Sequence, residues 1–310
     1  MLGAGGIVGA AYHAGVLTAL AEAGFDARDA DLIVGTSAGS GIGATLRAGF
    51  PPLDLAPRSL GTAISAEAIA LVGHTGAPPT IDLRPRPFSR APLPSSPGLL
   101  FRSGFHPAKA FAGLMPTGTI SADVIGERIS SLYGGRSWPA RQLWVCAVDL
   151  DRGDRVVFGR DELGVPVGVA VQASSSIPGV FAPVVHDGRR YVDGGVHSPT
   201  NADLLAGAGL DLVVIVSPMS NTGAARGATL ASGRPVHARR LAGEVRRIRA
   251  SGAEVLTFQP TPADLAAMGR NPMDARHRAA TTRAALVSTR DRLADASVAE
   301  RLDALRQASA

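Results

Sequence analysis

The chain has 310 residues, of which 45% are hydrophobic and 18% are charged. Such a composition can bury a full core, so it excludes general disorder and favours one large α/β domain or at most two small ones. The single cysteine, Cys146, excludes a disulfide scaffold and a metal site built from cysteines. The formal net charge is +5, and nearly all basic residues are arginine, a bias typical of a GC-rich coding genome rather than of one ligand.

The first fifty residues alternate between apolar runs and glycine-rich turns. Residues 3–9 form a glycine-rich loop, and the spacing that follows predicts a helix over 10–23 that stops at Gly24. Residues 30–34 predict a short apolar strand, and a tight turn then leads into a helix of small residues over 38–48. This alternation of helix and strand favours a parallel sheet with helices packed on it.

Residues 51–119 are rich in proline, which interrupts both helices and strands. We interpret this segment as an irregular cap or lid that contains short helical pieces over 59–72 and 106–114.

Regular structure is predicted again after residue 120. The patterns favour helices over 121–133 and 164–173, and strands over 142–150, 156–158, 183–186, 190–192, 211–217 and 253–258. From residue 234 the remaining chain is expected to be mostly helical, including all of 263–308. We expect residues 1–217 to form the main domain, with 51–119 as its cap insertion, and residues 218–310 to form a helical extension packed on it.

The first 21 residues carry no charge and mimic a secretory signal peptide. No basic residue precedes the apolar run, however, and glycines interrupt it, so a signal peptide is not expected. No other segment is apolar and long enough to span a membrane. We therefore expect a cytoplasmic protein, with peripheral contact with a membrane as an open alternative.

The sharpest motif is the sequence Gly35-Thr36-Ser37-Ala38-Gly39 between a predicted strand and a predicted helix. A G-x-S-x-G turn in this position is typical of a nucleophile elbow, which exposes the serine hydroxyl at the end of a sheet. Gly35 and Gly39 lack a Cβ, so the strand and the helix can approach each other closely. Ser37 is therefore the candidate nucleophile.

Two interpretations are open for the glycine-rich loop. Glycines allow successive amide N–H groups to point towards an anion, so Gly5 and Gly6 could form an oxyanion hole. Alternatively, the loop could bind a dinucleotide, but its spacing is G-x-G-x-x-x-G rather than the usual G-x-G-x-x-G, and hardly any strand precedes it.

A third motif, Asp193-Gly194-Gly195, follows a predicted strand. It could bring a carboxylate into a site from a loop, although D-G-G is by itself an ordinary turn.

Together the three motifs resemble those of the patatin-like phospholipase family, and they occur in the same order along the chain. The resemblance continues through AYHAGVLTAL, SSSIPGVFAPV and VHSPTNADLL, and it covers roughly residues 1–217. It implies an α/β fold, namely a three-layer α/β/α sandwich with a mainly parallel central sheet. It also implies hydrolysis of lipid acyl esters by a Ser–Asp dyad that uses no histidine, metal or other cofactor.

The resemblance assigns roles by position. Ser37 is then the nucleophile and Asp193 the general base, while the oxyanion hole comes from the loop residues Gly3, Ala4, Gly5 and Gly6. The implied partner is a lipid or another hydrophobic acyl ester, and no nucleic-acid motif is present.

The sequence departs from the family in two places. Val8 occupies a position that is usually basic, and the strand that normally precedes the glycine loop is nearly missing. These departures keep open the alternative of a catalytically silent lipid- or membrane-binding relative. A separate alternative is an NADP-binding protein that uses the glycine-rich loop. A Ser-His-Asp triad is a further alternative, for which three histidines follow Asp193 in the required order: His197, His237 and His277.

A run of arginines with helical spacing lies in the C-terminal third of the chain, at positions 239, 240, 246, 247 and 249. Such a face is either solvated or suited to contact with an anionic membrane.

Overall fold

The computed structural model describes residues 1–78, 93–99, 107–161, 164–222, 233–296 and 298. The helices lie at α1 (Gly6–Glu22), α2 (Ala38–Arg47), α3 (Leu55–Leu60), α4 (Ala66–Val72), α5 (Pro107–Leu114), α6 (Asp123–Ser131), α7 (Val167–Ser174), α8 (Arg234–Ala250), α9 (Pro262–Met268) and α10 (Arg278–Leu293). The strands lie at β1 (Leu32–Thr36), β2 (Gln142–Asp149), β3 (Arg155–Phe158), β4 (Val184–His186), β5 (Arg189–Asp193), β6 (Leu212–Val216) and β7 (Glu254–Phe258). The predicted α/β fold with a central sheet is confirmed. The predicted mainly parallel arrangement is wrong for the described five-stranded sheet, in which β1 and β2 pair in parallel but β2–β3, β2–β5 and β4–β5 are antiparallel. Short turns join β2 to β3 and β4 to β5, and strands joined in this way must be antiparallel.

The chain forms two compact units. One, the serine unit, comprises Asp31–Ala48 and Pro79–Asn201. The other, the glycine-loop unit, comprises Met1–Ala30, Gly49–Pro78 and Ala202–Ala310.

In the serine unit, β2 is the central strand and its middle residues are completely buried. Strand β1 pairs with it in parallel, whereas β3 and β5 pair with it antiparallel, and β4 extends the sheet from β5. The run LWVCAV is apolar without alternation, which is typical of a strand covered on both faces. Helices α2 and α7 pack against these strands.

The registers place β1 and β5 on the same edge of β2. Cys146 pairs with both Thr36 of β1 and Val157 of β3, so β1 and β3 occupy opposite edges. Ala147 pairs with both β3 and Asp193 of β5, so β5 also lies opposite β3. Strands β1 and β5 therefore run towards each other along one edge of β2, and their carboxyl ends meet at neighbouring positions.

In the glycine-loop unit, helix α1 is apolar around its whole circumference and is buried along most of its length. It packs on α10, where Gly15 allows close approach, because a Cβ at this position would lie 2.7 Å from the Cβ of Ala285. Strands β6 and β7 pair in parallel. The chain before α1 joins them, since Leu2 forms a parallel bridge with Val216.

The prediction of continuous helix over 263–308 is wrong in its first half. Helix α9 ends at Met268, and Gly269 follows with a φ of 67°, a left-handed conformation that ends a helix. Helix α10 begins only at Arg278. The predicted helix beyond residue 298 lies outside the described residues.

The predicted cap over 51–119 is described only in part. Its first segment contains α3 and α4, and a later segment contains α5, in agreement with the predicted helical pieces. Residues 79–92 and 100–106 lie outside the described residues.

Within the described ranges, no helix combines the length and the apolar character that crossing a bilayer requires.

Candidate active site

Ser37 lies between the end of β1 and the start of α2, in a backbone conformation that is unusual for any residue except glycine. Its φ is 53° and its ψ is −121°. A non-glycine residue in such a conformation costs about 1–3 kcal/mol and persists only where the surrounding structure enforces it. The sequence therefore forms the strained strand-to-helix turn that the G-x-S-x-G motif indicates.

Hydrogen bonds on both sides hold the backbone of Ser37 in place. The hydroxyl of Ser174 accepts the Ser37 N–H at 2.9 Å and donates to the carbonyl of Cys146 in β2 at 2.6 Å. The Ser37 carbonyl accepts the backbone N–H of Ser40 at 2.9 Å and its hydroxyl at 2.6 Å. Ser174 thus anchors the turn to the central strand, a role that the sequence does not distinguish from an ordinary serine in the run 174–176.

Gly35 is required by the close approach of β1 and α2. A Cβ at Gly35 would lie 2.5 Å from the Cα of Ser40 and 2.8 Å from the carbonyl oxygen of Gly39. Both neighbours are backbone atoms, so a side chain at position 35 would separate the strand from the helix.

Asp193 is the last residue of β5 and lies next to the turn, because β1 and β5 meet on one edge of β2. The Ser37 side chain is close enough to act on the carboxyl group of Asp193 and lowers its pKa. The Oδ1 of Asp193 accepts the backbone N–H of Gly195 at 2.7 Å, which fixes the carboxylate at the start of the following loop. The structure therefore brings together the two side chains that the sequence singled out 156 positions apart.

Burial controls the electrostatics of the pair. Ser37 is 5% exposed and Asp193 is 6% exposed. Loss of water raises the pKa of Asp193 to about 6, although the hydrogen bonds from Ser37 and from the Gly195 amide lower it. The carboxylate is thus a stronger base than an ordinary aspartate and is still ionised at neutral pH.

The glycine loop lies in the other unit, at the start of α1. The Gly3 N–H donates to the carbonyl of Val216 at 2.9 Å, so this amide is occupied. Gly6 has a φ of 61°, and a Cβ there would lie 2.7 Å from the carbonyl oxygen of Pro272. Among the described residues, none accepts a hydrogen bond from the amides of Gly5 or Gly6.

His13 supports this loop from within α1. Its Nε2 lies 2.7 Å from the carbonyl oxygen of Gly3, which can only accept, so Nε2 carries the proton. Burial lowers the pKa of His13 to about 4, and the ring is neutral at physiological pH. Val8, at the position that is usually basic in the family, is buried in the same helix.

The histidine triad gains no support from the described contacts. His197 follows the Asp193 turn, where its backbone N–H donates to the carbonyl of Gly194 at 3.0 Å. The Nδ1 of His277 lies 2.9 Å from the carbonyl oxygen of Ala267, and burial lowers the pKa of His237. In the part of the chain that the structure describes, no group of three His, Cys, Asp or Glu residues is arranged to hold a metal ion.

Comparison with known proteins identifies the family of the chain. The sequence profile described as patatin-like phospholipase matches residues 1–206. Uncharacterised proteins of the NTE family from Mycobacterium bovis and Mycobacterium tuberculosis are 42% identical to the chain over 71 residues. That segment spans 23% of this chain and only 19% of each relative. Because the family profile covers two thirds of the sequence and contains both members of the Ser37–Asp193 pair, the chain belongs to the patatin-like phospholipase family.

Proposed function

We propose that the protein is a serine lipid acyl hydrolase that cleaves fatty acyl esters through a Ser37–Asp193 dyad and an acyl-enzyme intermediate. The observation that carries the proposal is the burial of these two side chains beside each other where β1 and β5 meet, so that Ser37 lowers the pKa of Asp193. The family membership supports lipid hydrolysis in general, and this contact supports the dyad in particular.

In the first step Asp193 accepts the hydroxyl proton of Ser37 while the Ser37 oxygen attacks the ester carbonyl. The tetrahedral intermediate collapses, the alcohol departs with the proton from Asp193, and the acyl group stays on Ser37. Water then donates a proton to Asp193 and attacks the acyl-enzyme, which releases the fatty acid and returns the proton to Ser37. An elevated pKa assists each transfer, because the carboxyl group must both accept and donate a proton.

The oxyanion donors in this proposal come from Gly3–Gly6, as the family resemblance implies. Gly5 and Gly6 are the preferred donors, because the Gly3 amide is already bonded to Val216. One good donor stabilises the transition state by about 3–4 kcal/mol. The two alternatives, a silent lipid-binding relative and an NADP-binding protein, are favoured by no described contact.

A fluorophosphonate probe tests the nucleophile directly. We expect covalent labelling of the native protein at Ser37 and none in Ser37→Ala. Ser131→Ala, which removes an exposed serine hydroxyl from the same unit, is the matched control and should label normally. A folded native protein that neither labels nor cleaves a short-chain p-nitrophenyl ester would exclude the proposed activity.

We also propose peripheral contact with an anionic membrane through α8. Three arginines on this helix, Arg239, Arg246 and Arg247, are exposed, and no described acidic residue pairs with them. Glu244, the helix's single acidic residue, is buried and lies 3.6 Å from Arg240. Near an anionic surface each arginine strengthens binding by about 1 kcal/mol, or roughly fivefold.

Sedimentation with vesicles of phosphatidylcholine and phosphatidylserine measures this contact. The double variant Arg239→Gln/Arg246→Gln should bind at least tenfold more weakly than the native protein at low salt. The control Arg270→Gln/Arg283→Gln removes the same charge from two other exposed positions and should bind normally. An equal loss of vesicle binding in both double variants would show a general effect of net charge and contradict the proposal. Binding to RNA but not to vesicles would also contradict membrane contact through α8.

A further inference from the structure

Asn201 is a completely buried residue with three polar neighbours around one nitrogen. Its Nδ2 donates to the carbonyl of Ser198 at 2.7 Å and to the hydroxyl oxygen of Thr36 at 3.1 Å, and the carbonyl of Gly194 lies 3.4 Å away. On the other side, the guanidinium of Arg155 donates to Oδ1 at 3.4 Å. A flipped amide would face two carbonyl oxygens with its own oxygen, so these contacts fix its orientation.

The backbone conformation of Asn201 restricts which residues can occupy this position. Its φ is 54°, in the left-handed region that glycine and asparagine tolerate better than other residues. Glycine would satisfy this backbone conformation without any side-chain contact. Here the side chain is retained and both of its N–H groups have acceptors, which indicates that the amide itself is used.

The two strands that carry the dyad, β1 and β5, do not form a ladder of backbone hydrogen bonds with each other. Strands β1 and β5 pair with β2 but meet end to end, so backbone hydrogen bonds fix each strand against β2 and leave the gap between their ends to side chains. Asn201 crosses this gap. It joins Thr36, which precedes the nucleophile, to the loop that follows Asp193.

We propose that Asn201 is a positioning residue that holds Ser37 and Asp193 in alignment for proton transfer. The inference rests on the proposed hydrolase function, because it assigns a role in that reaction. Asn201 does not touch the reacting atoms; it acts through Thr36 on one side and through the Gly194–Ser198 segment on the other. A displacement of about 1 Å at such a dyad can reduce the rate by about 10²-fold.

Two substitutions distinguish the role of the Asn201 side-chain amide from the role of its backbone conformation. Asn201→Gly keeps the left-handed conformation but removes the amide, whereas Asn201→Asp keeps the shape and replaces the two donors by an oxygen. We expect both to lower kcat for a short-chain ester between tenfold and a hundredfold, with KM within twofold of the native value. Asp187→Gly, at an exposed left-handed residue in the β4–β5 turn, is the matched control and should retain native kcat.

Thr36 supplies a second pair of variants. Thr36→Ser keeps the hydroxyl acceptor and should retain activity, whereas Thr36→Val removes it and should lower kcat as Asn201→Gly does. The double variant Thr36→Val/Asn201→Gly should lose little more than either single variant, because both break the same link. Additive losses, or a lower melting temperature with unchanged kcat per folded molecule, would overturn the proposal.

A titration keeps the test independent of turnover. The hydrogen bond from Ser37 lowers the pKa of Asp193, so misalignment should raise it above the native value of about 6. Carbon-13 NMR of labelled aspartate in native and Asn201→Gly protein measures this shift, with Asp193→Asn identifying the resonance. An unchanged pKa would refute the positioning role, whereas absence of labelling at Ser37 in the native protein would refute the hydrolase function.

Discussion

Two glycine-rich turns open a helix in this protein, and they present different chemistry. In the turn before α2, the left-handed residue is Ser37, so the strain falls on a residue with a reactive side chain. At the start of α1, the left-handed residue is Gly6, the first residue of the helix, and only backbone is presented. The amide of Ser37 is occupied by Ser174, whereas the amides of Gly5 and Gly6 have no acceptor among the described residues. The residue in the left-handed position thus decides whether such a turn presents a side chain or amides.

The buried titratable groups near the two turns also differ. Burial raises the pKa of Asp193 to about 6 and lowers the pKa of His13 to about 4. The cause is the same, because loss of water disfavours the charged form of either group. The effect is opposite, since the charged form is the deprotonated one for a carboxyl group and the protonated one for an imidazole.

We expect the largest loss of activity when the base beside the serine is removed by substitution. Asp193→Asn keeps the size of the side chain but cannot accept the Ser37 proton, so turnover of a soluble ester should fall by about 10³-fold. In the native protein, kcat/KM should decline as pH falls through about 6, because protonated Asp193 is no base. Steady-state kinetics and circular dichroism check both points, and retention of a tenth of native turnover by a folded variant would contradict the assignment.

The next largest effect is expected on stability, and it tests why the turn at Ser37 needs glycine at position 35. Gly35→Ala places a Cβ against the backbone of Ser40, and the strand and helix must separate, so we expect a loss of more than about 3 kcal/mol in unfolding free energy. Gly41→Ala, in the same helix, meets nothing closer than 3.9 Å and should be neutral or stabilising by up to about 1 kcal/mol. Urea unfolding measures both, and similar losses would show that the helix rather than the close approach requires glycine.

The contributions of Asp193 and His13 to the free energy of unfolding should change with pH in opposite directions. Between about pH 4 and 6 native Asp193 holds more protons than the unfolded chain, so its contribution to stability falls as pH rises. Native His13 holds fewer protons between about pH 4 and 6.5, so its contribution rises with pH. Each effect amounts to about 3 kcal/mol, because one pKa unit corresponds to about 1.4 kcal/mol.

Because the two slopes oppose each other, non-titrating variants should reveal them one at a time. Relative to the native protein, Asp193→Asn should gain about 3 kcal/mol in unfolding free energy between pH 4 and 7. His13→Gln, which keeps a donor for the Gly3 carbonyl, should lose a similar amount over the same range. Denaturant titrations at several pH values measure both, and parallel profiles for all three proteins would contradict the opposed shifts.

Local patterns in the sequence predicted the elements around the site well. The apolar run ADLIV and the small residues around Ser37 predicted β1, the turn and α2, because a strained turn between closely packed elements admits few residue types. The run LWVCAV predicted β2 as a buried strand. The predicted C-terminal helix was too long. Arginine and alanine favour helix on both sides of Gly269, and one glycine does not by itself end the helical pattern.

The amino-acid sequence alone determined which groups could react, since the spacing of glycine, serine and aspartate is a local property of each motif. Only the tertiary structure decided that β1 and β5 meet on one edge of β2, which joins Ser37 to Asp193 and places Ser174 and Asn201 around them. Strand register and the burial that shifts the pKa of Asp193 depend on residues far apart in the chain. No local pattern encodes such pairings, because their free energy arises when distant segments exclude water together.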